Sequence, residues 1–268
     1  MIKKIIKEQP ILEFLKENYS NKIIKKLLKT DSILVNNKVV KYDYILKIGD
    51  IVNINTYNKS DDIKIIYEDK DIIVVDKPNN LLTIKDDKNN TSLYELVSNY
   101  VKKNNKNNKI FIVHRLDRET SGIILFAKNI RIKKLLQDNW NDLTIERKYI
   151  ALVHGLAKDN DILKSKLVED NMRVYISNKG KIAITEYVKI NNKNNKSLLD
   201  INIKTGRKNQ IRVQLKDQNL PILGDKKYGI KDNYKRLYLH AYKLVIINPL
   251  NNKKMTFVTE IPDIFYLH

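Results

Sequence analysis

Between two apolar runs in residues 110–128, IFIVHRLDRETSGIILFAK, the chain sets His114, Arg115, Asp117, Arg118, Glu119, Thr120 and Ser121 in close succession. A strand is expected to end near Val113 and another to begin near Ile123. Asp117 then falls on the connection, where a rigid scaffold can present a reactive side chain. Arginines two before and one after it favour the ionised carboxylate, which can serve as nucleophile or base. The same pattern describes a structural ion pair, and spacing alone leaves both readings open. A hydrolase pairing Asp117 with Glu119 has no other support, because two carboxylates that close leave no obvious room for a sugar.

Composition narrows the chemistry. The 268 residues include no cysteine, which excludes disulfides and thiolate metal sites. The histidines, at 114, 154, 240 and 268, show no H-x-x-x-H spacing, and no metal site is expected. A nucleotide-binding glycine loop is also missing, so no cofactor is expected. No run of 18 apolar residues occurs, and the basic start MIKKIIKEQP has too short an apolar stretch for a signal peptide. The expectation is a soluble, cytoplasmic chain without membrane contact. A formal net charge of +20 attracts polyanions: nucleic acid, the ribosome or an anionic lipid surface. Part of the lysine excess reflects the Ile-, Lys- and Asn-rich composition that AT-rich coding sequence produces. The surplus is +6 over residues 1–60 and +14 over 61–268, so no single basic tail accounts for it. No apolar surface stripe is evident, and a monomer is expected.

Two modules must position these residues, at 1–60 and 61–268. In the first, with its core at 11–57, ILEFLKEN and NKIIKKLLKT read as short helices. Ile23, Ile24, Leu27 and Leu28 share one face of the second, and Lys22, Lys25, Lys26 and Lys29 occupy much of the remainder. ILVNNKVV reads as a hairpin turning at Asn36-Asn37, and YILKIGDIVNI as a further strand pair around Gly49-Asp50. The polar segment 55–62 is taken as the linker. From residue 63 strand-like runs dominate, with helices expected at 92–103 and 129–138 and either helix or strand at 209–216. KKNNKNNK (102–109) and NNKNNK (191–196) have the composition of solvated loops. The absence of βαβ alternation predicts an α+β fold with a mixed, mainly antiparallel sheet.

HRLDRETSG (114–122) resembles the H-R-L-D-x-x-T-S-G signature of the large-subunit type of RNA pseudouridine synthases. Further segments are similar to that family in its own order: VVDKPNNLLT (74–83), ERKYIALVHG (146–155), IKTGRKNQIRVQL (203–215), PILGDKKYG (221–229) and RLYLHAYKLVIINP (236–249). The N-terminal module resembles an S4 RNA-binding domain, a small α/β unit. Two departures stand out. Asn79-Asn80-Leu81-Leu82-Thr83 replaces a stretch where the family has a glycine and then His-Pro. Asn209 and Gln214 replace histidines, which predicts altered RNA contacts with the chemistry retained.

The resemblance implies isomerisation of uridine to pseudouridine in RNA, with large-subunit (23S) ribosomal RNA as the expected partner and no cofactor. It implies Asp117 as the essential carboxylate. Tyr149 would be the ring that packs on the target uracil; the alternative is an ordinary core aromatic. Arg212 would be the ion-pair partner of Asp117 through a bidentate fork; the alternative is a phosphate contact. Arg115 would fill the stack vacated by a flipped base, or contact phosphate. His114 is expected to support the loop by hydrogen bonding. Arg207, Lys208, Lys226 and Lys227 are expected to line an RNA groove, and the lysines at 22, 25, 26 and 29 to contact phosphate. Each of these cations is equally describable as solvated charge. A catalytically inactive RNA-binding ribosome assembly factor is the competing reading. Loss of the Asp, Tyr or Arg would favour it, and all three are present.

Overall fold

The computed structural model describes residues 2–29, 33–36, 38–40, 44–54, 63–85, 91–170 and 173–266. The chain divides into two compact units, Met1–Asp62 and Ile63–His268. The segment 55–62, expected as the linker, lies outside the described residues. Among the described residues no helix is long and apolar enough to cross a membrane.

The first unit runs β1 (Ile2–Lys4), β2 (Gln9–Pro10), α1 (Ile11–Lys16), α2 (Asn21–Lys29), β3 (Ile33–Val35), β4 (Lys38–Val39), β5 (Ile45–Leu46) and β6 (Ile51–Ile54). Ile11, Phe14 and Leu15 of α1 and Ile24 and Leu27 of α2 form one core with Ile33, Val35, Val52 and Ile54. The inward stripe of α2 is narrower than the sequence suggests, since Ile23 is exposed. Lys25 is exposed; the side chains of Lys22, Lys26 and Lys29 lie outside the described residues. The runs around Gly49-Asp50, expected to pair with each other, belong to different sheets: β5 pairs with β2, and β6 with β1 and β3. Asp50 supplies the reason. Its carboxylate accepts from Lys47 N (2.9 Å) and Asn36 Nδ2 (2.8 Å), while Asn36 Oδ1 accepts from Ile51 N (3.0 Å). The turn is thereby tied to the β3–β4 hairpin.

The second unit continues with β7 (Lys64–Glu68), β8 (Ile72–Lys77), α3 (Leu93–Asn104), β9 (Phe111–Ile112), β10 (Ser121–Ala127), α4 (Ile130–Asp138), α5 (Trp140–Leu143) and β11 (Thr144–His154). It then runs β12 (Asn160–Glu169), β13 (Val174–Ile176), β14 (Lys181–Lys193), β15 (Lys196–Ile203), α6 (Gln210–Asp217), β16 (Leu239–Ile247) and β17 (Lys254–Val258). One large sheet has the order β13-β12-β14-β15-β11-β16-β10-β8-β7, with β17 beside β16 and β9 beside β10. Its only parallel pairing among the described residues is β10 with β16. The fold is therefore α+β with a mainly antiparallel sheet.

The strand β10 is buried along its whole length, which is why its sequence is a continuous apolar run without alternation. Ile124 and Phe126 face the cluster holding Leu93, Val97 and Leu116. Ile123, Leu125 and Ala127 face the cluster holding Ile132 and Leu136 of α4. The helix α3 begins with a capping box: Ser92 Oγ accepts from Glu95 N, and Glu95 accepts from Ser92 N. Residues 191–196, expected as an unstructured loop, are the tip of the β14–β15 hairpin. Asn194 and Asn195 take φ 51° and 54°, the left-handed pair that a two-residue turn requires. Among the described residues every non-glycine residue with left-handed φ is an asparagine: Asn36, Asn80, Asn194, Asn195, Asn209, Asn219 and Asn252. Residues 210–217 are helical. The first six, Gln210 to Leu215, are all buried, so the helix shows no polar face to reveal its period.

The strand β16 divides its edge: Ser121 and Gly122 of β10 pair beside His240 and Ala241, while β17 pairs along Lys243–Ile247. The loop 113–120 arrives at this fork. Gly122 sits at φ +115°, where an added Cβ would lie 2.1 Å from Ala241 O. Gly122→Ala is expected to destabilise the protein by about 3 kcal/mol or more. At Gly49 (φ +94°, open space) the same change is expected to cost only about 1 kcal/mol. Urea unfolding of the two variants checks the contrast.

Candidate active site

The Asp117 loop is held from below by segment 77–83. Lys77, fully buried, spends all three ammonium donors on carbonyls: Pro78 O (3.1 Å), Leu81 O (2.8 Å) and Arg118 O (3.0 Å). Asn79 Nδ2 donates to Glu119 O. Thr83 Oγ1 donates to Leu116 O (2.8 Å) and accepts from Leu116 N (3.3 Å). Asn80 takes φ 60°, so an asparagine makes the left-handed turn in this segment. From the side, Ser121 Oγ is 2.9 Å from His240 Nδ1 and accepts from Arg236 Nη2 (2.6 Å). The loop is therefore fixed at Leu116, Arg118, Glu119 and Ser121, four positions around Asp117.

Arg212 reaches the loop from α6. Its side chain is 4 % exposed. The sequence predicts a bidentate fork onto Asp117, but the fork closes on Asp225: Nε donates to Oδ2 and Nη2 to Oδ1, both at 2.8 Å. The remaining Nη1 lies 3.7 Å from Asp117 Oδ2, 3.4 Å from Glu119 Oε2 and 3.2 Å from Asn209 Oδ1. Asp225 also accepts from the backbone N–H groups of Lys227 (2.9 Å) and Tyr228 (3.0 Å), and its carboxyl is held below the usual range against the cost of burial. Burial lowers and these carboxylates raise the Arg212 affinity for its proton, and the net direction is up.

The flanking arginines do not decide the state of Asp117 as the sequence suggests. Desolvation pushes its carboxyl above the ordinary value, with Glu119 adding to the effect, against the pull of Arg212, Arg115 and Lys77. Arg115 and Arg118 are exposed, where solvent weakens their field. Asp117, Tyr149 and Arg212 border one cavity of about 90 Å³, together with Leu116, Ile203 and Leu239. Tyr149 sits at a register shift between β11 and β16. Burial pushes its hydroxyl up to about 12, so it keeps its proton at neutral pH. His114 stacks on Trp140, and its Nε2 accepts from Leu125 N (3.0 Å). Burial pulls it down to about 3, with Arg147 adding to the effect; the ring is neutral, with its proton on Nδ1.

Arg115 and Arg207 are exposed and also border the Asp117 cavity. Lys208 does not: it pairs with Glu169 beside a separate groove. Lys226 is exposed and Lys227 lies over the Tyr228 ring, and neither borders the Asp117 cavity. The two replaced histidines part ways. Gln214 is buried and makes no outward contact: Oε1 accepts from Thr185 Oγ1 (2.7 Å), and Nε2 lies within reach of Leu163 O, Ser165 Oγ and Ala183 O. An altered RNA contact at 214 is thereby corrected to an internal one. Asn209, at φ 51°, starts α6, donates to Tyr228 Oη (3.0 Å) and borders the cavity. Gln210 holds the preceding loop, accepting from Thr205 Oγ1 (2.7 Å) and Arg207 N (3.0 Å).

Lys77, Asp225, Arg236 and His240 fall within the family-like segments, and the sequence alone assigns them no role. The signal was available in kind: a lysine closing an apolar strand and an aspartate after Ile-Leu-Gly are charges set where burial is expected. Among the described residues no three His, Cys, Asp or Glu side chains cluster as a metal would require.

Residues 71–217 match the family model described as RNA pseudouridylate synthase. The ribosomal large subunit pseudouridine synthase C of Buchnera aphidicola subsp. Acyrthosiphon pisum is 33% identical over 95% of this chain and 90% of its own. The ribosomal large subunit pseudouridine synthase D of Borreliella burgdorferi is 37% identical over 76% of this chain and 67% of its own. In fold, the human RNA pseudouridylate synthase domain containing 4 superposes with a TM-score of 0.63 at 22% identity, over 75% of this chain and 90% of that one.

The raised carboxyl carries a sign. A folded-state value above the unfolded one favours the protonated form, so stability is lost as pH rises through the window above 3.8. Asp117→Asn is expected to raise the urea midpoint at pH 7. The advantage should narrow as the pH falls toward 4; a midpoint unchanged or lowered at pH 7 contradicts it.

Proposed function

This chain belongs to the RNA pseudouridylate synthase family and is an RNA pseudouridine synthase, an isomerase; on that premise we propose that Asp117 is its essential carboxylate and that the target is uridine in 23S ribosomal RNA. The observation that carries the first part is the shared cavity, with Arg212 Nη1 3.7 Å from Asp117 Oδ2 and Tyr149 on the same wall. The second part is supported by the relatives named for the large ribosomal subunit. Work on nascent rRNA would make the chain cytoplasmic.

In the reaction the C1′–N1 bond of uridine breaks, the uracil turns, and C1′ joins C5. The C5 proton leaves and N1 ends protonated, so nothing is oxidised and no group leaves the product. Asp117 acts as nucleophile or base at the sugar–base junction. Arg212 steadies its charged form through Nη1, while Asp225 keeps the guanidinium from turning. Tyr149 packs on the uracil, and a hydroxyl that stays protonated can give or pass a proton near C5. A base inside folded RNA must be extruded, and Arg115 at the cavity mouth is suited to the vacated stack. We assign residues 61–268 to catalysis and residues 1–60 to an S4-like RNA-binding module whose α2 lysines meet phosphate.

Asp117→Asn is expected to lower pseudouridine formation on an unmodified 23S transcript by on the order of 10⁴-fold or more while RNA binding persists. Arg212→Lys, which cannot copy the fork, is expected to cost roughly 10²-fold. Chemical mapping of pseudouridine checks both, and a wild-type protein inactive on rRNA, tRNA and mRNA overturns the reading. Replacing Lys22, Lys25, Lys26 and Lys29 by Ala should lower the slope of log affinity against log salt by up to roughly 3. An unchanged slope removes α2 from the RNA interface.

A further inference from the structure

A second chamber, of about 330 Å³, adjoins the Asp117 cavity and shares Arg115, Tyr149, Ile203, Gly206 and Arg207 with it. Tyr149 lies on the boundary that the two compartments share. The far compartment is bordered by His114, Trp140, Asn141 and Arg147. His114 and Trp140 form an aromatic wall, their ring centroids 4.6 Å apart and their planes 20° apart. Arg147 is 8 % exposed. Its Nη2 donates to Lys204 O (2.7 Å), but its Nε is buried without a partner, and among the described residues it has no carboxylate within ion-pair distance. A buried guanidinium without an anion is an unbalanced charge. Gly206 leaves the approach to it open, since a Cβ there would lie 3.1 Å from Arg147 Nη1. Arg115 and Arg207, both exposed, add positive charge to the same chamber.

We propose that this chamber receives the nucleotide next to the target uridine, with its phosphate toward Arg147 and its base against the His114–Trp140 wall. The inference rests on the reading of the Asp117 cavity as the site of an RNA uridine isomerase. It adds a specificity site: consecutive nucleotides of one strand occupy two adjoining compartments that share Tyr149 on their boundary. The missing anion at Arg147 is the flanking phosphate, which a planar guanidinium suits. The aromatic wall accepts any base face, and the exposed amide of Asn141 at the rim can read a base edge.

Trp140 is the only tryptophan of the chain, so its emission reports on this chamber alone. The full chain carrying Asp117→Asn is titrated with a stem-loop RNA that contains a uridine which the wild type converts. Emission is expected to change on binding and to stay unchanged when one flanking nucleotide is abasic. That abasic RNA should also bind about tenfold more weakly. A neutral methylphosphonate at the flanking phosphate should weaken binding of the wild type, and Arg147→Lys should keep part of the difference between charged and neutral linkages. Emission that is constant with intact RNA, or equally changed by every abasic position, overturns the subsite and leaves the isomerase reading standing. Failure of the wild type to convert any RNA overturns that reading and the subsite with it.

Discussion

The site depends on how one buried guanidinium divides its donors. Arg212 gives two of its nitrogens to Asp225 and keeps the third for the loop that carries Asp117 and Glu119. A single carboxylate opposite a buried arginine would satisfy it and take its place permanently. Here Asp225 does that, and its own second role is to accept the Lys227 and Tyr228 amides that close the 225–228 turn. Asp117 meets only the spare corner. At 3.7 Å from Nη1 it lies within ion-pair distance without being held in a two-point fork.

The same division of labour recurs around the loop. Lys77, Thr83, Asn79 and Ser121 hold its backbone or its end, so the Asp117 side chain is not what anchors the loop. The sheet fork at β16 is where this becomes possible. Ser121 and Gly122 meet His240 and Ala241 in the large sheet's one parallel strand pairing among the described residues, and only a glycine lets the two backbones come that close. Although the Asp117 side chain stays partly exposed, desolvation outweighs the neighbouring cations at its carboxyl.

Much of the fold was legible in the sequence. The α+β class followed from strand runs without βαβ alternation, and the buried β10 from its unbroken Ile-Ile-Leu-Phe-Ala stretch. What escaped did so for physical reasons. The strands β12 and β13 sit toward the edge of the sheet: β12 interrupts its apolar residues with Lys164, Ser165 and Lys166 and buries only Leu163 and Leu167, and β13 is three residues long, so the apolar signal is weak. The helix α6 buries its polar Gln210, Arg212 and Gln214 together with Ile211, Val213 and Leu215, so polar and apolar residues alternate as in a strand and no helical period shows. Around the site, the quoted segments held the partners, but Arg212 and Asp225 are 13 residues apart and Ser121 and His240 are 119 apart. Local spacing could not say which carboxylate would take the fork, nor that desolvation at Asp117 would outweigh the pull of Arg212 and Arg115.

The left-handed turns hold one more consequence. With seven glycines in 268 residues, the chain makes its tight bends with asparagine, which tolerates positive φ and can bond its own backbone. Each such bend carries a hydrolysable amide where glycine would carry nothing. Asparagine is among the thermolabile side chains, so every one of these bends, Asn209 beside the Asp117 cavity among them, adds a group that prolonged heating can hydrolyse. A composition rich in this residue keeps the shape of the turns while adding sites of chemical ageing.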